Sequence, residues 1–166
     1  MTDAGIANLG DLALRQGDYA RAIPLFEEAL GISRGLENAD GIAGDLHNLA
    51  FSLYLAGRSE EAVAAAKESL ALAHEIDGVI PLVFGLILLA SVASHRGNDE
   101  VGARLLGAAE ILRERIGLDV TGAEGVLLGN THAELRGALG EEAYETTLAE
   151  GKRMSLARAV DYALEN

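Results

Sequence analysis

The chain has no cysteine, no tryptophan and only two prolines among its 166 residues. Without cysteine there can be no disulfide, no thiolate metal site and no cysteine nucleophile. With so little proline, long stretches are free to be helical. Aromatic residues make up 4% of the chain against 49% hydrophobic residues, so the interior must be built mainly from Ala, Leu, Val and Ile. Such small, smooth side chains suit closely packed helices. Positive charge is scarce as well: 13 Lys and Arg face 26 Asp and Glu, a net charge of −13. That balance repels phosphate backbones and anionic membrane surfaces, so neither nucleic acid nor membrane is expected as a partner. The longest apolar run, 79–90, is interrupted only by Gly85 and falls short of the roughly 20 residues needed to cross a bilayer. It reads as a buried helix. Met1-Thr2-Asp3-Ala4 has neither a basic region nor an apolar core, so no secretory signal is expected, and the lack of cysteine fits a cytoplasmic setting.

What the sequence does have is a period. Gly17-Asp18-Tyr19, Gly57-Arg58-Ser59 and Gly97-Asn98-Asp99 recur at intervals of 40 residues, each between two mostly apolar helical runs. Recurrence on this scale marks an array of helical hairpins, because a single hairpin cannot bury its own apolar face. The pattern predicts an all-α fold with helices at 3–15, 18–34, 40–56, 59–75, 80–95, 98–116, 121–138, 141–150 and 155–164. Asp18, Ser59, Asn98 and Ser155 are placed to cap helix N-termini, and Thr121 with Glu124 has capping-box spacing. Pro81 falls in a first turn, where its missing N–H costs nothing. Pro24 lies deeper, and a tolerated kink is expected there. Gly85 and Gly129 are candidates for close helix crossings. The last helix has a stripe of Leu156, Ala159, Val160 and Ala163 opposite Arg158, Asp161 and Glu165, as a terminal cap should.

The repeats resemble the tetratricopeptide family, whose pattern is W-x2-L-G-x2-Y followed by A-x3-F. The first repeat reads Ile6-x2-Leu9-Gly10-x2-Ala13, then Ala22-x3-Phe26. The second reads Leu46-x2-Leu49-Ala50-x2-Leu53, then Ala62-x3-Ala66, and the third Leu86-x2-Leu89-Ala90-x2-Ala93, then Gly102-x3-Leu106. The period is 40 rather than 34 and the closing proline is missing. Both departures resemble the longer repeats in the C-terminal helical regions of bacterial signal-transduction ATPases and large transcription regulators. The segments 68–73, 103–110 and 139–143 and the helix from Ser155 are similar to the tail of that group. The resemblance implies a single right-handed α-α solenoid over 1–166. Its repeats fall at 3–36, 40–76 and 80–116, with a divergent fourth pair over 121–150 and a capping helix at 155–164. It also implies a non-enzymatic interaction scaffold, serving as the sensing or assembly module of a regulator.

In that family the first helices of successive repeats line a concave groove. Phase places Asn8, Asp11 and Arg15 there from the first repeat, His47, Phe51 and Tyr54 from the second, and Phe84, Ile87, Ser91 and His95 from the third. Some members grip a terminal carboxylate with Lys, Arg and Asn. Asn8 and Asn48 are present here, but Phe84 and Leu88 occupy the third-repeat sites, which disfavours such a clamp. The groove reads as apolar with a polar rim, suited to a protein or peptide partner or to a second copy of the chain. The alternative is a small-molecule effector enclosed near Phe51, Tyr54, Phe84 and Ile87.

Catalysis and cofactors find little support in the residues. The four histidines, His47, His74, His95 and His132, have no metal-ligand spacing, and His74 and His132 read as ordinary surface or boundary positions. Glu27-Glu28, Glu60-Glu61 and Glu141-Glu142 are adjacent on helices and so point about 100° apart, as solvated charge rather than acid/base dyads. No phosphate-binding glycine loop appears. No metal, cofactor or catalytic residue is therefore expected.

Overall fold

The computed structural model describes residues 2–166, and among these it contains helices and no strand. The helices are α1 (Asp3–Arg15), α2 (Tyr19–Gly35), α3 (Ala39–Leu55), α4 (Ser59–Glu75), α5 (Val79–His95), α6 (Asp99–Ile116), α7 (Gly122–Leu139), α8 (Glu141–Lys152) and α9 (Leu156–Glu165). The 40-residue register is kept closely through the first six. Their first residues recur at 19, 59 and 99 and at 39 and 79, and α1, α3 and α5 end at 15, 55 and 95.

Two series of left-handed residues cause this regularity. Gly17, Gly57 and Gly97 have φ of 73°, 79° and 75° and close the first helix of each hairpin. The following N–H reaches back five residues each time: Asp18 to the Ala13 carbonyl, Arg58 to Leu53 and Asn98 to Ala93, all at 2.9 Å. This is the Schellman arrangement, which satisfies carbonyls that a helix end would otherwise strand. A second series, also spaced by 40, was not apparent from composition because only its last member is glycine. Glu37, Asp77 and Gly117 have φ of 53°, 56° and 65°. They are followed by the equivalent bonds from Asn38 to Ser33, Gly78 to Ala73 and Leu118 to Arg113.

The caps differ from expectation in places. Asp18 accepts from the Arg21 N–H and Ser155 from the Arg158 N–H. Ser59, however, is the first helical residue and Arg58 precedes it, while Asn98 and Thr121 hold N-cap positions without a side-chain bond. The Thr121–Glu124 capping box is thus not formed. Tight glycine turns already fix where these helices start, so the side-chain caps are dispensable. Helix α2 continues through Pro24.

The chain divides into two compact units, and the division falls inside α5, between Pro81 and Leu82. In the first, α1 to α4 pack each against the next. Gly10 lies under the Phe26 ring, where a Cβ would come within 2.8 Å of the aromatic edge. Two buried serines tie the layers: Ser33 donates to Asp45 at 2.7 Å, and Ser69 donates to the Ala43 carbonyl at 2.9 Å. In the second unit α6 is central, with α5, α7, α8 and α9 around it. A Cβ on Gly102 would come within 2.9 Å of the Ala90 carbonyl. The closest crossing lies between α6 and α8, where a Cβ on Gly107 or Gly151 would sit about 2 Å from a backbone carbonyl of the opposing helix. Arg104 secures this crossing through Glu150 at 2.8 Å and reaches Glu100 and the Tyr162 hydroxyl of α9. Ala159, Val160 and Ala163 are buried along α9, which makes contact with α6.

Gly129 does not serve a close crossing, since nothing lies within 4 Å of the position of its Cβ. The two glycines therefore answer oppositely to alanine. Gly129→Ala should raise the unfolding free energy by about 0.5–1 kcal/mol through helix propensity. Gly151→Ala should lower it by about 2–3 kcal/mol, since two backbones must separate. Urea denaturation measures both, and equal effects would contradict the α6–α8 crossing.

Candidate functional site

The first unit presents two different surfaces. One is the candidate surface that sequence phase draws on α1 and α3, two helices that touch one another. On α1, Asn8 and Arg15 are exposed and Asp11 is half-buried; Arg15 and Asp11 pair at 2.9 Å, one helical turn apart. Leu12 lies among them at 50% exposure, a large apolar side chain on a polar helix face. On α3, His47 and Tyr54 are half-buried, while Phe51 is in the interior. Burial disfavours the charged imidazole and pushes the His47 pKa down to about 4, so at neutral pH this ring is an uncharged hydrogen-bonding group. The Asp45 carboxylate, one turn earlier on α3, is turned inward to Ser33 and takes no part in the surface.

The other surface is a cleft of about 390 Å3 bounded by α2 and α4, with α3 beneath it. Its floor is a row of leucines, Leu46, Leu49 and Leu53, continued by Leu30 of α2. Its rim carries Glu27 and Arg34 on one side and Glu61 and Glu68 on the other. Arg34 pairs with Glu68 across the opening at 2.5 Å, and both side chains are about half exposed. Glu61 accepts from two of the guanidinium nitrogens of Arg58, Nε and Nη2, and that contact keeps its carboxyl below the usual range.

The sequence-predicted groove residues of the second unit fall in contrasting surroundings. Ile87 and Ser91 are buried, Phe84 is half-buried and His95 is exposed, 3.5 Å from Glu134 of α7. Among the described residues no group of three or more His, Asp or Glu side chains is placed to hold a metal ion. Among the described residues no helix is long and apolar enough to cross a membrane.

Residues 2–75 match the family model of the tetratricopeptide repeat. The match spans a little under half of the chain, and over it the sequence is similar to tetratricopeptide repeats. Neither the curated proteins nor the solved structures contain a match to it. The matched segment covers the first four helices, and these supply both surfaces of the first unit. Tetratricopeptide repeats mediate protein–protein interaction, and the family is a scaffold type rather than an enzyme type. The all-helical hairpin architecture agrees with that similarity.

Beyond the matched repeats, the structure assembles one polar cluster that sequence reasoning missed. Glu110 of α6, with its side chain 12% exposed, accepts from His132 Nε2 of α7 at 2.9 Å and from Lys152 Nζ of α8 at 2.8 Å. With Nε2 donating, His132 Nδ1 is left to accept from the Tyr144 hydroxyl of α8. Arg136 lies 4.8 Å from the centre of the Tyr144 ring and pairs with Glu141 and Glu145. His132 is therefore not an ordinary boundary residue. The sequence signal was thin: positions 110, 132, 144 and 152 share no local spacing, and only α7 folding back beside α6 and α8 brings them together.

An acid–imidazole–hydroxyl chain also resembles a proton relay, but the Tyr144 side chain is fully buried and burial pushes its pKa up to about 12. Shielded and protonated, that hydroxyl ties α8 to α7, and His132 carries the link on to α6. The hydrogen bond from His132, aided by Lys152, outweighs burial and pulls Glu110 down to about 2. A carboxyl whose folded pKa lies below its unfolded value stabilises fully above the unfolded pKa, and that stability is lost as pH falls toward the folded one. The window runs from about pH 4.5 down to about pH 2 and corresponds to on the order of 3 kcal/mol. Urea titrations at pH 5 and pH 3 should show a steeper acid loss in the wild type than in Glu110→Gln. Parallel losses would mean the carboxylate is not held in this way.

Proposed function

We propose that the chain is an interaction scaffold whose α1–α3 face grips a segment of a protein partner. The observation that carries this reading is the tetratricopeptide match over residues 2–75, because those helices place Leu12 on the surface between Asn8, Asp11 and Arg15. An exposed apolar side chain ringed by hydrogen-bonding groups can bury area on a partner while the ring fixes orientation. His47 and Tyr54 supply matching polar and aromatic positions on α3. Phe51, buried in the interior, packs behind α3.

The resemblance of the closing segments to bacterial signal-transduction ATPases and large transcription regulators supports a sensing or assembly role within such a regulator. A partner bound here need not be acidic or basic overall, since the Asp11–Arg15 pair presents both signs.

A peptide array probed with the purified chain should return ligands whose binding weakens about tenfold or more in Leu12→Asp and in His47→Ala. The Leu12→Asp side chain points to solvent, so its helical circular dichroism and melting temperature should match the wild type. Light scattering on the same samples reads self-association, the other occupant this face would accept. An empty array together with a strictly monomeric mass would overturn the proposal.

A further inference from the structure

The cleft between α2 and α4 is separate from the α1–α3 face, and the repeat register shows why it stays open. Adding 80 to positions 27 and 28 of α2 gives Gly107 and Ala108 of α6. In the second unit those two small residues are buried, and α8 lies against α6 at Gly107. In the first unit the same positions hold Glu27 and Glu28, both exposed, and no helix of that unit closes over them. The leucines beneath are only 2–7% exposed, so what stays open is the gap above them between α2 and α4.

We propose that this cleft docks a short basic amphipathic helix of a protein partner, with a leucine-sized anchor entering between α2 and α4 and lysine or arginine meeting the rim. The floor sets the geometry. Leu46, Leu49 and Leu53 lie at i, i+3 and i+7 on α3, a row about two helical turns long, or roughly 10 Å. A guest helix with anchors at the same spacing lays one apolar stripe along such a row.

The rim sets the charge. Glu27, Glu61 and Glu68 outnumber Arg34 and the Arg58 that holds Glu61 by one, and the whole chain carries −13. A cationic guest is drawn by that field and an acidic one is repelled. The Arg34–Glu68 pair strapped across the opening is half exposed, and pairs of this kind contribute little to stability. A guest lysine can take Glu68 from Arg34 at small cost, and Glu27 is engaged in neither rim pair.

The test uses the full chain and a capped 14-residue helical peptide with leucines at i, i+3 and i+7 and lysines beside them. Titration followed by calorimetry should show binding that weakens at least tenfold between 50 and 300 mM salt on the order expected for screening of exposed charge. It should fall at least tenfold in Glu27→Lys/Glu68→Lys. Ala64→Trp, which places bulk at the exposed mouth, should abolish binding without lowering the melting temperature. A version of the peptide with glutamate for lysine should not bind. Leu12→Asp should leave binding unchanged, which separates this cleft from the α1–α3 face. The inference is overturned if the peptide fails to bind, if its glutamate version binds equally, if Ala64→Trp binds normally, or if Leu12→Asp is the variant that removes it.

Discussion

Every helix in the repeats must reverse within two or three residues, and the left-handed residue at each reversal is the constraint from which the architecture follows. At Gly17, Gly57 and Gly97 the turn is made at φ near 75°, and the next N–H returns to the helix it has just left. A turn closed by such a bond leaves little freedom in where the following helix starts. The starts at 19, 59 and 99 follow from it. The second series shows that the conformation matters more than the residue. Glu37 and Asp77 adopt φ of 53° and 56° at a cost that side chains ordinarily avoid, because the packed helices on either side require the turn there.

With the register fixed, the residues at equivalent positions decide what each unit does with its helix faces. Small residues allow close approach: Gly10 makes room for the Phe26 ring, while Gly102 against Ala90, and Gly107 and Gly151 across α6 and α8, bring backbones together. Charged residues at the same positions hold surfaces open. Glu27 stands where Gly107 stands, so α2 keeps an open flank and α6 does not. One helical framework can thus be closed in one unit and receptive in the other through exchange of a few side chains, without any change in the turns.

The polar interior follows a similar logic. Ser33 with Asp45, Ser69 with the Ala43 carbonyl, and Glu110 with His132 and Lys152 are all contacts between different helices. In a core of alanine and leucine, where many packings are nearly equal in energy, directional bonds of this kind select one alignment. The cost of burying Glu110 is offset because two donors meet it, one from each neighbouring helix. Most of the fold is legible in local sequence. The period, the helix bounds to within a residue or two and the docked stripe of α9 all rest on local spacing and turn chemistry. The candidate surface was legible in part. Phase on α1 and α3 picked out Asn8, Asp11, Arg15, His47 and Tyr54, but it also picked out Phe51, which helix packing places inside.

The sequence by itself determined that this chain is a helical repeat array: glycine spacing and 3.6-residue periodicity act between near neighbours, and no distant contact is needed to read them. Only the tertiary structure decided that α8 lies directly on α6, that Gly129 faces open space while Gly151 meets a carbonyl, and that His132 joins Glu110 and Tyr144. The physical reason is range. Such contacts join residues far apart along the chain, and their geometry is set by how whole helices stack, which local spacing does not encode.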